Sequence, residues 1–260
     1  MVTFEPMLGA VQAVVDAKRV PGVVLRVCRH GEIEVEGVFG EQQPALSTPM
    51  RADSIFRIYS MTKPITSVAV MMLVEAGDIS LDEPITRTFP EFANLEVGIE
   101  AQDDEGKPML KREPAGRSAS IRDLMRHTAG FTYGTFNDSL VKAEYRALGI
   151  DSTSISGDEL IERLARAPLA FRPGTTWEYS RATDVLGILV ERISGQTLGE
   201  FFEQRIFAPL GMVDTAFVVP EAKLGRVAEP FALDPDSQEP IHLRNPAKLL
   251  GYCSGGGGLF

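Results

Sequence analysis

The chain has 260 residues, 44% hydrophobic and 24% charged, which is enough for a sizeable core in a globular protein. Its 36 acidic and 26 basic residues leave a net charge of −10, which argues against nucleic acid and against attraction to an anionic membrane surface. The longest apolar run, residues 68–74, is far too short to span a bilayer.

No basic stretch followed by an apolar one opens the chain, so no secretory leader is expected. Cys28 lies in a strand-like run and Cys253 in a Gly-rich segment. Two reduced thiols and a cytoplasmic location are the expectation.

Residues 5–19 have helical spacing, ended by Pro21-Gly22. Two β-rich runs follow, residues 22–29 and 32–39, joined by His30-Gly31 as a two-residue hairpin turn. The second run alternates acidic and apolar residues, as a strand with one solvated and one buried face requires. A helix then carries apolar residues at Ile65, Val68, Ala69, Met72, Leu73 and Ala76, with more between them, so it is expected to be buried nearly all round. Gly77 suits its C′ position. Pro64 is tolerable only in the first turn, which places Ser60 at the helix N-terminus.

Residues 80–118 read as loop-rich, with an exposed turn at 103–107. Ser120 and Asp123 form a capping-box variant that opens a short helix ending at Gly130. Helical patterns recur near 158–167, 182–194 and 197–208, and beyond 215 the chain is irregular and ends in a glycine run. The order of elements is that of an α+β chain with a largely helical middle.

The run Ser60-Met61-Thr62-Lys63 is the leading chemical candidate. Positions i and i+3 share a helix face, so a serine hydroxyl and an amine placed there can meet. A serine nucleophile needs an adjacent base, and an amine serves when it is neutral. The positive end of a helix favours the neutral amine and offers backbone N–H groups, including that of Ser60, to a developing oxyanion. The spacing alone is weak. It recurs at Ser139 and Lys142 in a polar stretch, which reads as a solvated helix face.

Tyr179 precedes the apolar helix that begins near 182. Two readings stand: proton transfer in a cleft, or a half-buried ring with its hydroxyl hydrogen-bonded. His30 reads as a turn residue and His127 as a helix-end residue, and both are distant from His242. No Gly-x-Ser-x-Gly elbow occurs. No Cys/His pair has metal-ligand spacing, and no cofactor is expected.

Taken together, several motifs resemble the serine β-lactamase and penicillin-binding-protein superfamily, in its class C-like branch with the family VIII carboxylesterases. They are Phe56-Arg57-Ile58-Tyr59-Ser60-Met61-Thr62-Lys63, Ile121-Arg122-Asp123-Leu124-Met125-Arg126-His127-Thr128-Ala129-Gly130, Tyr179-Ser180-Arg181-Ala182-Thr183-Asp184-Val185-Leu186-Gly187 and Pro209-Leu210-Gly211-Met212. The resemblance implies an antiparallel sheet flanked by helices, an α/β sandwich, with a mostly helical domain beside it. The α/β part would span 1–85 and 225–260, and the helical part 86–224. It further implies that Ser60 is acylated, Lys63 is its general base and Tyr179 passes a proton to the leaving group. Arg181 and Gly257 are the expected substrate contacts.

Two departures stand out. Arg181 occupies a place where related lactamases carry Asn, which favours esters over β-lactams. The third motif of the superfamily, of the Lys-Thr-Gly, His-x-Gly or Trp-Gly-Gly kind, is missing beyond the glycine run, so the expectation is a C-terminally truncated chain with an incomplete sheet. The expected activity is carboxylesterase action on small acyl esters. The expected partner, besides that ester, is a second copy or another chain that completes the sheet. The alternatives are a non-catalytic truncated binding or interaction module, and a β-lactamase or D-alanyl carboxypeptidase.

Overall fold

The computed structural model describes residues 3–260, which group into two compact units. The first takes the chain up to Arg57, then Val218–Lys248 and Phe260. It begins with helix α1 (Glu5–Asp16), shorter than its pattern because the chain turns left-handed at Lys18 (φ 54°). Strands β1 (Gly22–Arg29) and β2 (Glu32–Gln43) pair antiparallel from Gly22↔Gly40 to Arg29↔Glu32. Between them His30 (φ 52°) and Gly31 (φ 84°) both take positive φ, the requirement of a type I′ hairpin turn. The short strand β3 (Thr48–Pro49) pairs with β2, giving the order β1-β2-β3. A small core of Ile55, Val219, Val227 and Phe260 anchors the unit.

The second unit comprises Ile58–Phe217 and Leu249–Leu259 and holds the larger core. Helix α2 (Thr62–Ala76) ends at Gly77, left-handed at φ 80° as its pattern requires. It buries Thr66, Ala69, Val70 and Leu73 while packing on the later helix that spans Ala182–Ser194. Its burial is one-sided, against expectation: Val68 is 50% and Met71 42% exposed. An apolar run shows that a helix can be buried all round. Only packing partners make it so.

The stretch read as loop-rich contains a hairpin, β4 (Glu96–Gln102) with β5 (Pro108–Pro114), in register from Glu96↔Pro114 to Gln102↔Pro108. The expected turn lies between them, where Asp103 Oδ1 accepts the N–H of Glu105 at 3.0 Å and of Lys107 at 2.9 Å. Helix α3 (Ile121–Met125) opens with the capping box of Ser120 and Asp123. Helix α4 (Leu140–Ala147) also corrects the sequence reading, because Lys142 on it is buried, not solvated.

Helix α5 (Gly157–Arg166) leads to α6 (Ala182–Ser194), whose residues Ala182 through Val190 are all buried. Helix α7 (Leu198–Phe202) continues through a π-turn at Glu203–Phe207 into α8 (Ala208–Leu210), which ends at Gly211. None of the described helices is long and apolar enough to cross a membrane.

Candidate active site

Ser60 lies in a single 3₁₀ turn, Tyr59–Met61, that runs straight into α2. Tyr59 holds φ 44°, an uncommon backbone for an aromatic residue and a strain carried beside the serine. Lys63 is the second residue of α2, and its Nζ donates to Ser60 Oγ at 3.2 Å. Tyr179, 119 positions beyond Ser60, donates its phenolic hydrogen to the same oxygen at 2.5 Å. Lys63 Nζ also stands 4.5 Å from the Tyr179 ring centroid. The structure therefore brings Ser60, Lys63 and Tyr179 onto one oxygen.

The glycine run near the end of the chain lies against the two helices that carry this group. Ser254 Oγ donates to Asp184 Oδ1 on α6 at 2.6 Å, and the Gly256 N–H reaches the same oxygen at 3.1 Å. Thr66 Oγ1 on α2 donates to the Gly255 carbonyl at 2.8 Å. The Gly256 carbonyl then accepts from Lys63 Nζ at 2.5 Å. A Cβ at Gly256 would sit 2.6 Å from the Asp184 carboxylate, so this approach needs glycine. Gly257 lies against the Tyr59 backbone, its ideal Cβ position 3.7 Å from the Tyr59 carbonyl carbon.

Arg181 is placed differently from the serine and its two partners. Its Nε donates to Asp151 Oδ1 at 3.1 Å and its Nη1 to Asp184 Oδ2 at 3.3 Å, with the guanidinium 5.0 Å from the Tyr133 ring centroid. Burial works against this charge, but Asp184 and Asp151 outweigh it and hold the group above its usual value. Its donors thus serve a buried ion network around the start of α6.

Three neighbours were not singled out by the sequence. His127 (φ 55°) packs its ring 5.1 Å from that of Tyr179, and its Nδ1 shares a 3.1 Å hydrogen bond with Ser180 Oγ. Burial first, and then the charge of Lys63, push its pKa down to about 4, so it is neutral near pH 7. Tyr133 packs 5.5 Å from Tyr179, and burial pushes its phenol up. Asp184 is 1% exposed and supports the glycine run described above. The available signals were modest: a histidine just past a short helix, and an acid in the first turn of an apolar one.

The second Ser-x-x-Lys pair is built for another task. Ser139 caps α4 by accepting the Lys142 N–H at 3.1 Å. Lys142 Nζ turns away to the Phe136 carbonyl at 2.5 Å and to Glu178 Oε1 at 3.1 Å. Glu178 also takes the Thr132 hydroxyl and donates its N–H to the His127 carbonyl at 3.0 Å. Lys142 thus steadies the segment that presents Tyr179.

A family model described as Beta-lactamase matches residues 9–260. The chain belongs to the beta-lactamase family. Within that family it is similar to Esterase EstB of Burkholderia gladioli, 38% identical over 235 residues, covering 88% of this chain and 54% of that protein. It is also 34% identical over 257 residues to Protein Rv1367c of Mycobacterium tuberculosis, covering 96% of this chain and 61% of that one. Among solved structures it resembles EstCE1, described as a hydrolase with promiscuous acyltransferase activity. That match has TM-score 0.78 and 27% identity, over 98% of this chain and 68% of that one. The chain thus spans 54% and 61% of the length of these two sequence relatives. Its fold is β-lactamase/transpeptidase-like, a mixed α+β arrangement, and its relatives include esterases and acyltransferases.

Proposed function

We propose that this chain carries the catalytic core of a serine carboxylesterase acting on small acyl esters. The observation that supports it best is the convergence of Lys63 Nζ (3.2 Å) and Tyr179 Oη (2.5 Å) on Ser60 Oγ. Ser60 Oγ attacks the ester carbonyl carbon as Lys63 accepts its proton. The backbone N–H of Ser60 would serve the developing oxyanion. The carbonyl–alkoxy bond then breaks, Tyr179 gives its phenolic proton to the leaving oxygen and is reprotonated by Lys63, which holds the proton taken from Ser60, and the acyl group stays on Ser60. Water repeats the sequence on the acyl-enzyme, releasing the acid and restoring Ser60.

The Gly256 carbonyl supports this reading by holding the amine with a second hydrogen bond, at 2.5 Å. The similarity to Esterase EstB favours an ester over a β-lactam. The test is hydrolysis of p-nitrophenyl butyrate and of nitrocefin by the wild type, Ser60→Ala and Lys63→Ala. Butyrate turnover lost in both variants, with little nitrocefin turnover, is expected. Butyrate turnover that persists in Ser60→Ala rejects the assignment.

A further inference from the structure

The exposed aromatic side chains of the second unit are not scattered. They are Tyr59 (49%), Phe136 (55%) and Trp177 (64%); Tyr59 and Phe136 border the serine–tyrosine pair, and Trp177 reaches it through His127. Tyr59 precedes Ser60 in the chain. The Phe136 ring is 6.3 Å from that of Tyr179 and meets Tyr133 edge-on at 5.5 Å and 88°. The Trp177 ring lies 6.3 Å from His127, itself against Tyr179. Apolar rings left in water are unfavourable, and their concentration around one reactive hydroxyl marks a place where a ligand covers them.

The chemistry of the cluster narrows that ligand. The basic side chains around the cluster are engaged, Lys63 by Ser60 and Gly256, Arg181 by Asp151 and Asp184, and Lys142 by the Phe136 carbonyl and Glu178. His127 is neutral near pH 7. What faces an incoming group is therefore uncharged π-surface, which prefers another ring in an offset or edge-on arrangement.

We propose that Tyr133, Phe136 and Trp177 form the subsite for the alcohol portion of the ester, and that this portion is a neutral planar aromatic group. The inference rests on the proposed role of Tyr179. The leaving oxygen takes its proton from that phenol, so the alcohol departs beside the rings that surround Tyr179. The bond broken is the acyl carbon–oxygen bond. The aryl alcohol leaves with the proton, and the acyl group remains on Ser60 until water removes it.

The test compares benzyl acetate with cyclohexylmethyl acetate, which match in carbon skeleton but differ in π-character. The wild type is expected to favour benzyl acetate roughly 3- to 10-fold in kcat/KM. Phe136→Leu and Trp177→Leu, which keep apolar bulk, are expected to lower that ratio towards one. The acyl-side pair, methyl phenylacetate against methyl cyclohexylacetate, is expected to show a smaller preference. A wild-type ratio near one, a ratio unmoved by both substitutions, or a preference confined to the acyl side overturns the subsite. No ester hydrolysis sensitive to Ser60→Ala overturns the nucleophile assignment and the subsite with it. Serine-dependent hydrolysis without an aryl preference overturns the subsite alone.

Discussion

Asp184 holds the Gly256 amide hydrogen at 3.1 Å, and the carbonyl of that same glycine receives Lys63 Nζ at 2.5 Å. A carboxylate on α6 thereby sets the acceptor for an amine on α2. Asp184→Ala removes the acceptor of Ser254 and Gly256 and leaves Arg181 with Asp151. Losing one member of a buried charge pair costs roughly 3–5 kcal/mol. Urea unfolding is expected to show a loss of that order, together with slower acylation of Ser60. Asp184→Asn, which retains an oxygen acceptor, is expected to fall between. Unchanged stability in Asp184→Ala contradicts the network.

His127 gives a pH prediction with a definite sign. Its folded pKa is about 4, below the ordinary 6.5, because burial and Lys63 disfavour the charged ring. Between these values the unfolded chain binds the proton that the folded one refuses. The contribution is therefore fully present above pH 6.5 and is lost as pH falls towards 4. Denaturant unfolding of wild type and His127→Gln from pH 7.5 to 4 checks this. The difference between the two is expected to change across that window and to level off outside it.

Lys142 and Ser139 test whether one spacing serves two purposes. Ser139→Ala removes an N-cap and is expected to cost about 1 kcal/mol with Ser60 reactivity intact. Lys142→Ala leaves Glu178 without its ion-pair partner and is expected to cost more, roughly 3 kcal/mol. It is also expected to slow acylation by loosening the Glu178–Tyr179 segment. Loss of Ser60 labelling in Ser139→Ala contradicts the division of labour.

Tyr179→Phe keeps the ring packing against His127 and Tyr133 but removes the hydroxyl that reaches Ser60. A positioned proton-transfer group contributes roughly 10²- to 10⁴-fold. The variant is expected to lose kcat on that scale while its melting temperature stays within a few degrees of wild type. Stopped-flow and steady-state esterase kinetics check it.

Much of the local architecture was legible because local chemistry decides it. His30-Gly31 defines a hairpin turn, Ser120 and Asp123 a capping box, and the apolar run from Ala182 a helix, and the structure has each of them. The β4–β5 hairpin was missed because Glu96, Glu100, Lys111, Arg112 and Glu113 hide its period in charge. Val68 and Met71 read as core because composition cannot say which face of α2 finds a partner. At the candidate site, Ser60, Lys63 and Tyr179 follow from motifs. Asp184, His127 and Gly256 depend on contacts between segments far apart in sequence, and no local pattern encodes those.

The most direct test of the central claim is the site of covalent modification by a fluorophosphonate, located by peptide mass mapping. A single adduct on Ser60, lost in Ser60→Ala and formed more slowly in Lys63→Ala and Tyr179→Phe, is the predicted result. An adduct on any other serine, or none on Ser60 in the folded wild type, contradicts the assignment of this serine as the nucleophile.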